Sequence, residues 1–242
     1  MLPNVVAKLY DVTMNCKNCQ TELTQDAHFC QQCGQSSISV NRPFSVVAKD
    51  MMHELLDIDG RLWLTVRTML CKPGQLTLEF NQGKRVKYTP PLRLYLAISI
   101  LFFLVFSQIY HIYDPSSALT DSVVSYYSKA MFVLFPVFAL IVQLFFRHSY
   151  YIGNLVFSMH IHSIVYLMLM FVAPLESVEK SHPVFLLLQI PPIFYLTWYI
   201  FTAFKTVYQQ NWWQTAAKAI SAYMIYMAIL GIVFDVVMAR IL

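Results

Sequence analysis

The chain has 242 residues, of which 57% are apolar and 12% charged, with a formal net charge of +4. A soluble domain is about half apolar and about a quarter charged, so this balance excludes an ordinary water-wetted surface. The aromatic share of 15% excludes a disordered chain, and +4 is too mild to lead us to expect a nucleic-acid partner.

Charge is unevenly placed. Residues 1–93 hold 11 of the 17 basic residues and 8 of the 13 acids. The first residues carry Lys8 and Asp11 and no apolar run of signal-peptide length, so an unprocessed cytosolic N-terminus is expected.

Residues 1–40 read as a small zinc ribbon, with its metal site in 16–33. Cys16-x2-Cys19 and Cys30-x2-Cys33 are separated by ten residues. Each pair suits a tight knuckle, and two knuckles give four thiolates in a tetrahedron, the geometry of structural zinc. A single iron also accepts four thiolates. A disulfide framework fits less well, because thiols on the cytosolic side stay reduced. Gly34 supplies the free backbone that the second turn needs. With four protein sulfurs no position is left for a reacting water, so Zn2+ is expected to be structural. A ribbon this small has little core of its own, and the metal supplies most of its folding energy. His28 is expected at the surface, and Cys71 is left over as a buried thiol.

Residues 41–90 read as amphipathic juxtamembrane helices. Phe44, Val47, Met51, Leu55 and Ile58 recur at helical spacing among charged residues. Asp59 can cap a second short helix carrying Leu62, Val66, Met69 and Leu70, which Lys72-Pro73-Gly74 ends. A third short element runs from Leu76 to Phe80. Such helices lie on the cytosolic face of a bilayer or against the ends of spans. Lys84, Arg85, Lys87 and Arg93 then form a basic collar, suited to anionic lipid or to topology signalling alone.

Residues 91–242 read as a transmembrane helical bundle. A span needs about 20 mostly apolar residues, and five windows qualify: 92–112, 126–146, 150–173, 183–204 and 216–239. Pro91 suits the first helical turn, where its missing N–H has no partner to lose. Basic residues alternate between loops so as to place the N-terminus in the cytoplasm and the C-terminus outside. Pro191-Pro192 should kink or unwind the fourth span. The expected fold is therefore an all-α polytopic membrane protein of about five transmembrane helices, with a four-cysteine zinc ribbon at its N-terminus.

In the third span Asn154, Ser158 and His162 are spaced by four and share a face, which Tyr166 continues. His160 lies about 200° from His162 around the helix, so the two rings face different neighbours and are poorly placed to chelate one ion. Polar groups inside a bilayer usually face the bundle interior. Interhelical hydrogen bonding, a proton relay or ligand site, and a metal or haem site are the readings for this stripe. Gln143, Gln189 and Asp235 are further candidates. There is no phosphate-binding or dinucleotide loop, no nucleophile elbow and no paired carboxylates, so no catalytic residues are assigned.

The chain resembles the bacterial membrane family known as domain of unknown function 3667. The resemblance extends over essentially the whole length. It is carried by Cys16-Lys-Asn-Cys19 and Phe29-Cys30-Gln-Gln-Cys33-Gly34-Gln35, and by Leu56-Asp57 with Arg61 and Thr65. Pro73-Gly74, Gly83-Lys84-Arg85, Tyr88, Pro90-Pro91-Leu92-Arg93-Tyr95 and Phe157-Ser158-Met159-His160-Ile161-His162 complete it. It implies a zinc ribbon followed by a helical domain in a bacterial inner membrane, and no activity. The function expected from the sequence is a membrane scaffold or adaptor whose ribbon docks a cytosolic protein or folds onto the basal helices. The alternative is a small transporter or lipid-handling protein using the polar stripe around His162.

Overall fold

In the computed structural model, the described residues are 14–24, 27–36, 61–113, 119–179 and 185–241. The helical periodicity over 44–58 and the Asp59 cap fall outside them. The N-terminal cysteines sit on two small loops. Strands β1 (Met14–Asn15) and β2 (Glu22–Leu23) pair antiparallel, with Met14 opposite Leu23, and Phe29 bridges Ser36. Seven helices follow among the described residues: α1 (Leu62–Cys71), α2 (Gln75–Asn81), α3 (Pro91–Tyr113), α4 (Leu119–Phe145), α5 (Tyr151–Glu179), α6 (Phe185–Tyr208) and α7 (Trp212–Ile241).

Four of these helices are long and apolar enough to cross a membrane, with apolar windows at Pro91–Ile109, Tyr151–Leu175, Leu186–Tyr208 and Trp212–Val236. In α4 the apolar stretch among the described residues is shorter, Lys129–Phe145. Pro91 is the first residue of α3, as its fixed φ favours. Helix α1 starts one residue after Arg61, its N-cap position, which makes no side-chain cap bond. Helix α6 runs unbroken through Pro191 and Pro192, so no unwound segment forms there. The prolines withdraw the donors that would serve Leu187 and Leu188, two bonds in a helix of 24 residues.

Helix α5 is the most enclosed span and the axis of the bundle. On one side Phe138, Val142, Phe157, Ile161, Phe204 and Ala222 bury against one another, joining α4, α5, α6 and α7. On the other, Met69, Leu76, Leu94, Tyr95, Met159 and Tyr166 join α1, α2, α3 and α5. Rings dominate this second core: Tyr166 stacks on Phe102 at 5.0 Å, and Tyr95 meets Phe135 at 4.8 Å. Offset ring pairs add to plain area burial, which tightens a helix interface that lipid alone would not drive together.

Helices α1 and α2 form a hairpin wedged against α5 and α6. Its turn, Pro73-Gly74, is buried. Gly74 has φ +78, and a Cβ there would stand 2.8 Å from the Ala203 carbonyl oxygen of α6. Only glycine permits both that backbone conformation and that approach. The Tyr195 hydroxyl donates to the Leu70 carbonyl, and Thr65 Oγ1 accepts from the Thr89 N–H at 2.9 Å. The hairpin is thus tied to α6 and to the chain entering α3.

Candidate metal centre and intrabundle polar site

The two cysteine loops are built alike. The Cys16 N–H donates to the Thr21 carbonyl, and the Gln20 N–H returns to the Cys16 carbonyl; Cys30, Gln35 and Gly34 repeat both bonds. The repeat needs a left-handed residue directly after the second cysteine, and Gln20 (φ 65) and Gly34 (φ 70) occupy it. Each loop thereby turns both of its thiols to one point. Sγ of Cys16 and Cys33 are 3.6 Å apart, those of Cys19 and Cys30 are 3.5 Å apart, and all four lie within 4.8 Å. A disulfide would bring two sulfurs to about 2.05 Å, and all five cysteines are free. Sulfurs about 2.3 Å from a tetrahedral ion stand about 3.8 Å from each other. The four thiols are close enough to hold one metal ion.

The local field divides the thiols. The Thr21 hydroxyl and backbone beside Cys19 lower it to about 6, whereas desolvation pushes Cys33 up to about 11. His28 is exposed and stands outside the cluster, and Cys71 is exposed rather than buried. Cys71 falls on the outer face of α1, a placement that a thiol's usual burial did not foretell.

The cysteine module is fastened to the rest of the chain by Gln35. Its amide nitrogen donates to the Gly83 carbonyl at 2.7 Å, and its oxygen accepts from the Arg85 N–H at 3.1 Å. Of the basic collar, Lys87 is paired with Glu79 at 3.0 Å and lies over the Tyr88 ring, and Arg85 lies over the Phe80 ring. Burial would raise Glu79, but hydrogen bonds from Gln75 and Lys87 and the Lys87 charge outweigh it and hold the carboxyl below its usual range. Lys84 and Arg85 edge a crevice of about 10 Å³ with Thr65, Tyr88 and His160, room for about one water. Arg93 is half-buried at the start of α3 and does not line the crevice.

In the bundle, Asn154, Ser158 and His162 share one face of α5 and between them reach α4, α6 and α7. Asn154 Nδ2 donates to Gln143 Oε1 of α4 at 2.6 Å, and its oxygen accepts from the hydroxyls of Ser149 and of Tyr208 in α6. Ser158 Oγ donates to the Phe135 carbonyl at 2.6 Å. His162 Nδ1 lies 2.8 Å from the Ser158 carbonyl, and Nε2 lies 2.8 Å from the Tyr226 hydroxyl of α7. A carbonyl only accepts, so Nδ1 carries the proton and Nε2 accepts from Tyr226. His160 instead turns to the hairpin, with Nδ1 2.8 Å from Thr77 Oγ1. The two histidines therefore serve two interfaces and do not converge on one ion.

A cavity of about 180 Å³ opens beside His162. Its wall is almost wholly hydrocarbon, from Met131, Ile161, Val165, Leu169, Ala219 and Leu230, with His162, Tyr166 and Tyr226 along one side. The Tyr166 hydroxyl is buried beside the Tyr95 hydroxyl, which is turned to the Met131 carbonyl. Tyr208, Tyr226 and Thr77 are site residues that the sequence does not flag. Their one available signal is a tyrosine or threonine on a helix face that neighbours bury. Asp235 is exposed and joins no part of this network.

Residues 59–103 match the model of a family described as Protein of unknown function (DUF3667). This is the family the sequence resembles, although the match covers that segment and not the whole length. No curated protein and no solved structure matches the chain. The DUF3667 segment contains the α1–α2 hairpin, the loop that Gln35 grips and the first half of α3. The cysteine loops and the His160/His162 region lie beyond it.

Proposed function

We propose that this is a lipid-handling membrane protein carrying a structural zinc ribbon. The observation that carries the reading is the cavity beside His162. An apolar cavity of about 150 Å³ stays dry and accepts hydrocarbon guests, and this one is larger and lined by four helices. A polar solute or ion would find almost no polar wall there, so the reading favours an acyl or isoprenoid chain over a charged substrate. The stripe of Asn154, Ser158 and His162 acts as the brace that holds α4, α6 and α7 around the space.

Zinc fits the cysteine site because four thiolates in a closed tetrahedron leave no open position, which suits a structural ion. Cys16, Cys19, Cys30 and Cys33 would hold it, and its contribution is the folding of the two loops. The bundle would lie in a bacterial inner membrane with the ribbon in the cytosol.

A second reading, a scaffold or adaptor, is favoured by Gln35. Its two hydrogen bonds to residues 83 and 85 hold the ribbon as a fixed platform on the bundle, with Phe29 63% exposed on it. Comparing the lipids that copurify with wild-type and Ala219→Trp protein tests the first reading. A bulky ring in the cavity should deplete a specific lipid class. Identical lipid profiles from the two proteins, together with a partner lost on Gln35→Ala, would favour the platform instead.

A further inference from the structure

The short helix α1 presents an unusual outer face. Thr65, Thr68 and Met69 are buried against the bundle, while Trp63, Arg67 and Cys71, spaced by four, point away from it. Trp63 is 73% exposed, flanked by Leu62 at 42% and Leu64 at 43%. A face made of an indole, leucines and an arginine suits neither water nor a packed core. It is the composition of an interfacial surface, where a ring lies among headgroups and an arginine stem reaches outward.

The position of the hairpin gives that face its surroundings. Helix α6 ends at Tyr208, which bonds Asn154 near the start of α5. Exposed Tyr150, Trp212 and Trp213 cluster at the same end of the bundle, as an aromatic belt does. The hairpin does not stop at this level. Gly74 rests on Ala203, five residues further into α6, and Leu70 is gripped by Tyr195, thirteen residues in. At about 1.5 Å per residue, those anchors lie about 8 and about 20 Å inside the helix end. Irregular backbone at membrane depth must be enclosed by protein, and Pro73 and Gly74 are buried.

We propose that α1 and α2 form a re-entrant hairpin in the leaflet on the cysteine side, with the Trp63–Arg67–Cys71 face of α1 against lipid. The occupant of this face is the bilayer itself, because the hairpin seats on the same spans whose outer faces meet lipid. Arg67 and Lys72 are exposed on α1, and their long stems let the charged ends reach up to anionic headgroups. The inference rests on the bundle's being membrane-embedded and is independent of what fills the cavity beside His162.

The test uses the full chain in vesicles of phosphatidylethanolamine and phosphatidylglycerol, with Trp198, Trp212 and Trp213 replaced by phenylalanine so that Trp63 alone emits. Lipids carrying a nitroxide near the headgroup end of the acyl chain should remove about half of its emission, as for a helix seated at the headgroup boundary, and aqueous acrylamide should remove little. Strong acrylamide quenching without lipid quenching would overturn the proposal. So would protection from both, which would mean that residues 37–60 or a protein partner cover Trp63. If the three replacements prevent insertion, the difference between wild type and Trp63→Phe reports the same ring.

Discussion

The His162 imidazole and the Tyr226 hydroxyl meet at 2.8 Å between α5 and α7, beside the apolar cavity. With Nδ1 committed to the Ser158 carbonyl, the ring is fixed as a neutral acceptor toward Tyr226. Both ring nitrogens are therefore engaged, Nδ1 within α5 and Nε2 across to α7.

Replacing Tyr226 by phenylalanine should cost about 0.5–1.5 kcal/mol, the range of one interhelical hydrogen bond. A double-mutant cycle with His162→Phe should show coupling of that size when unfolding is followed in mixed micelles. Additive effects of the two substitutions would show that the pair contributes nothing.

Metal analysis of the purified full chain should give one zinc per chain. Chelation should unfold the cysteine loops while the helical signal of the bundle persists, because the two parts have separate cores. Visible absorption by the purified protein would identify iron instead. Cys33→Ser should lose the metal, and Cys71→Ser should retain it.

Gln20 adopts the left-handed conformation that Gly34 adopts in the twin loop. Gln20→Gly should therefore stabilise the ribbon by about 1 kcal/mol, read as slower metal loss to a chelator. Faster loss would mean that the glutamine side chain contributes more than its backbone strain costs.

Gly74→Ala should destabilise the protein by about 2–4 kcal/mol, since the new Cβ meets a backbone carbonyl as well as an unfavourable φ. Gly34→Ala faces open space and should cost about 1 kcal/mol for φ alone. Thermal unfolding of both variants checks the ratio.

The Glu79–Lys87 pair predicts a pH dependence. Glu79 is held below its usual range, so its contribution is fully present above the unfolded carboxylate pKa and is lost as pH falls through the folded value. Lys87 is raised by its hydrogen bonds with Tyr88 and Glu79, so its share is lost only in strong alkali. Glu79→Gln should cost about 1–2 kcal/mol at neutral pH, discounted because Lys87 is 44% exposed, and should flatten the acid limb of a melting-against-pH curve.

Much of the layout is local and so is legible in the chain. Cysteine spacing determines which thiols can meet, and long uncharged runs show where helices can cross a membrane. Pro91 marks the start of α3 through its own φ. The hairpin's insertion is hidden, since α1 alone looks like any surface helix and only Gly74 against Ala203 reveals its seat. The partners of Asn154 and His162 are hidden for a similar reason. Tyr208 and Tyr226 are ordinary aromatic residues until α6 and α7 are folded around α5.

The central claim is that the space beside His162 holds a hydrocarbon chain. Phospholipids with a photoactivatable diazirine in the acyl chain, incorporated with the full chain in vesicles, test it directly. Cross-links are expected on Met131, on Val165 and Leu169 and on Met227, all of them lost in Ala219→Trp while labelling of the outer faces of α6 and α7 persists. Labelling confined to those outer faces, unchanged by Ala219→Trp, would contradict it.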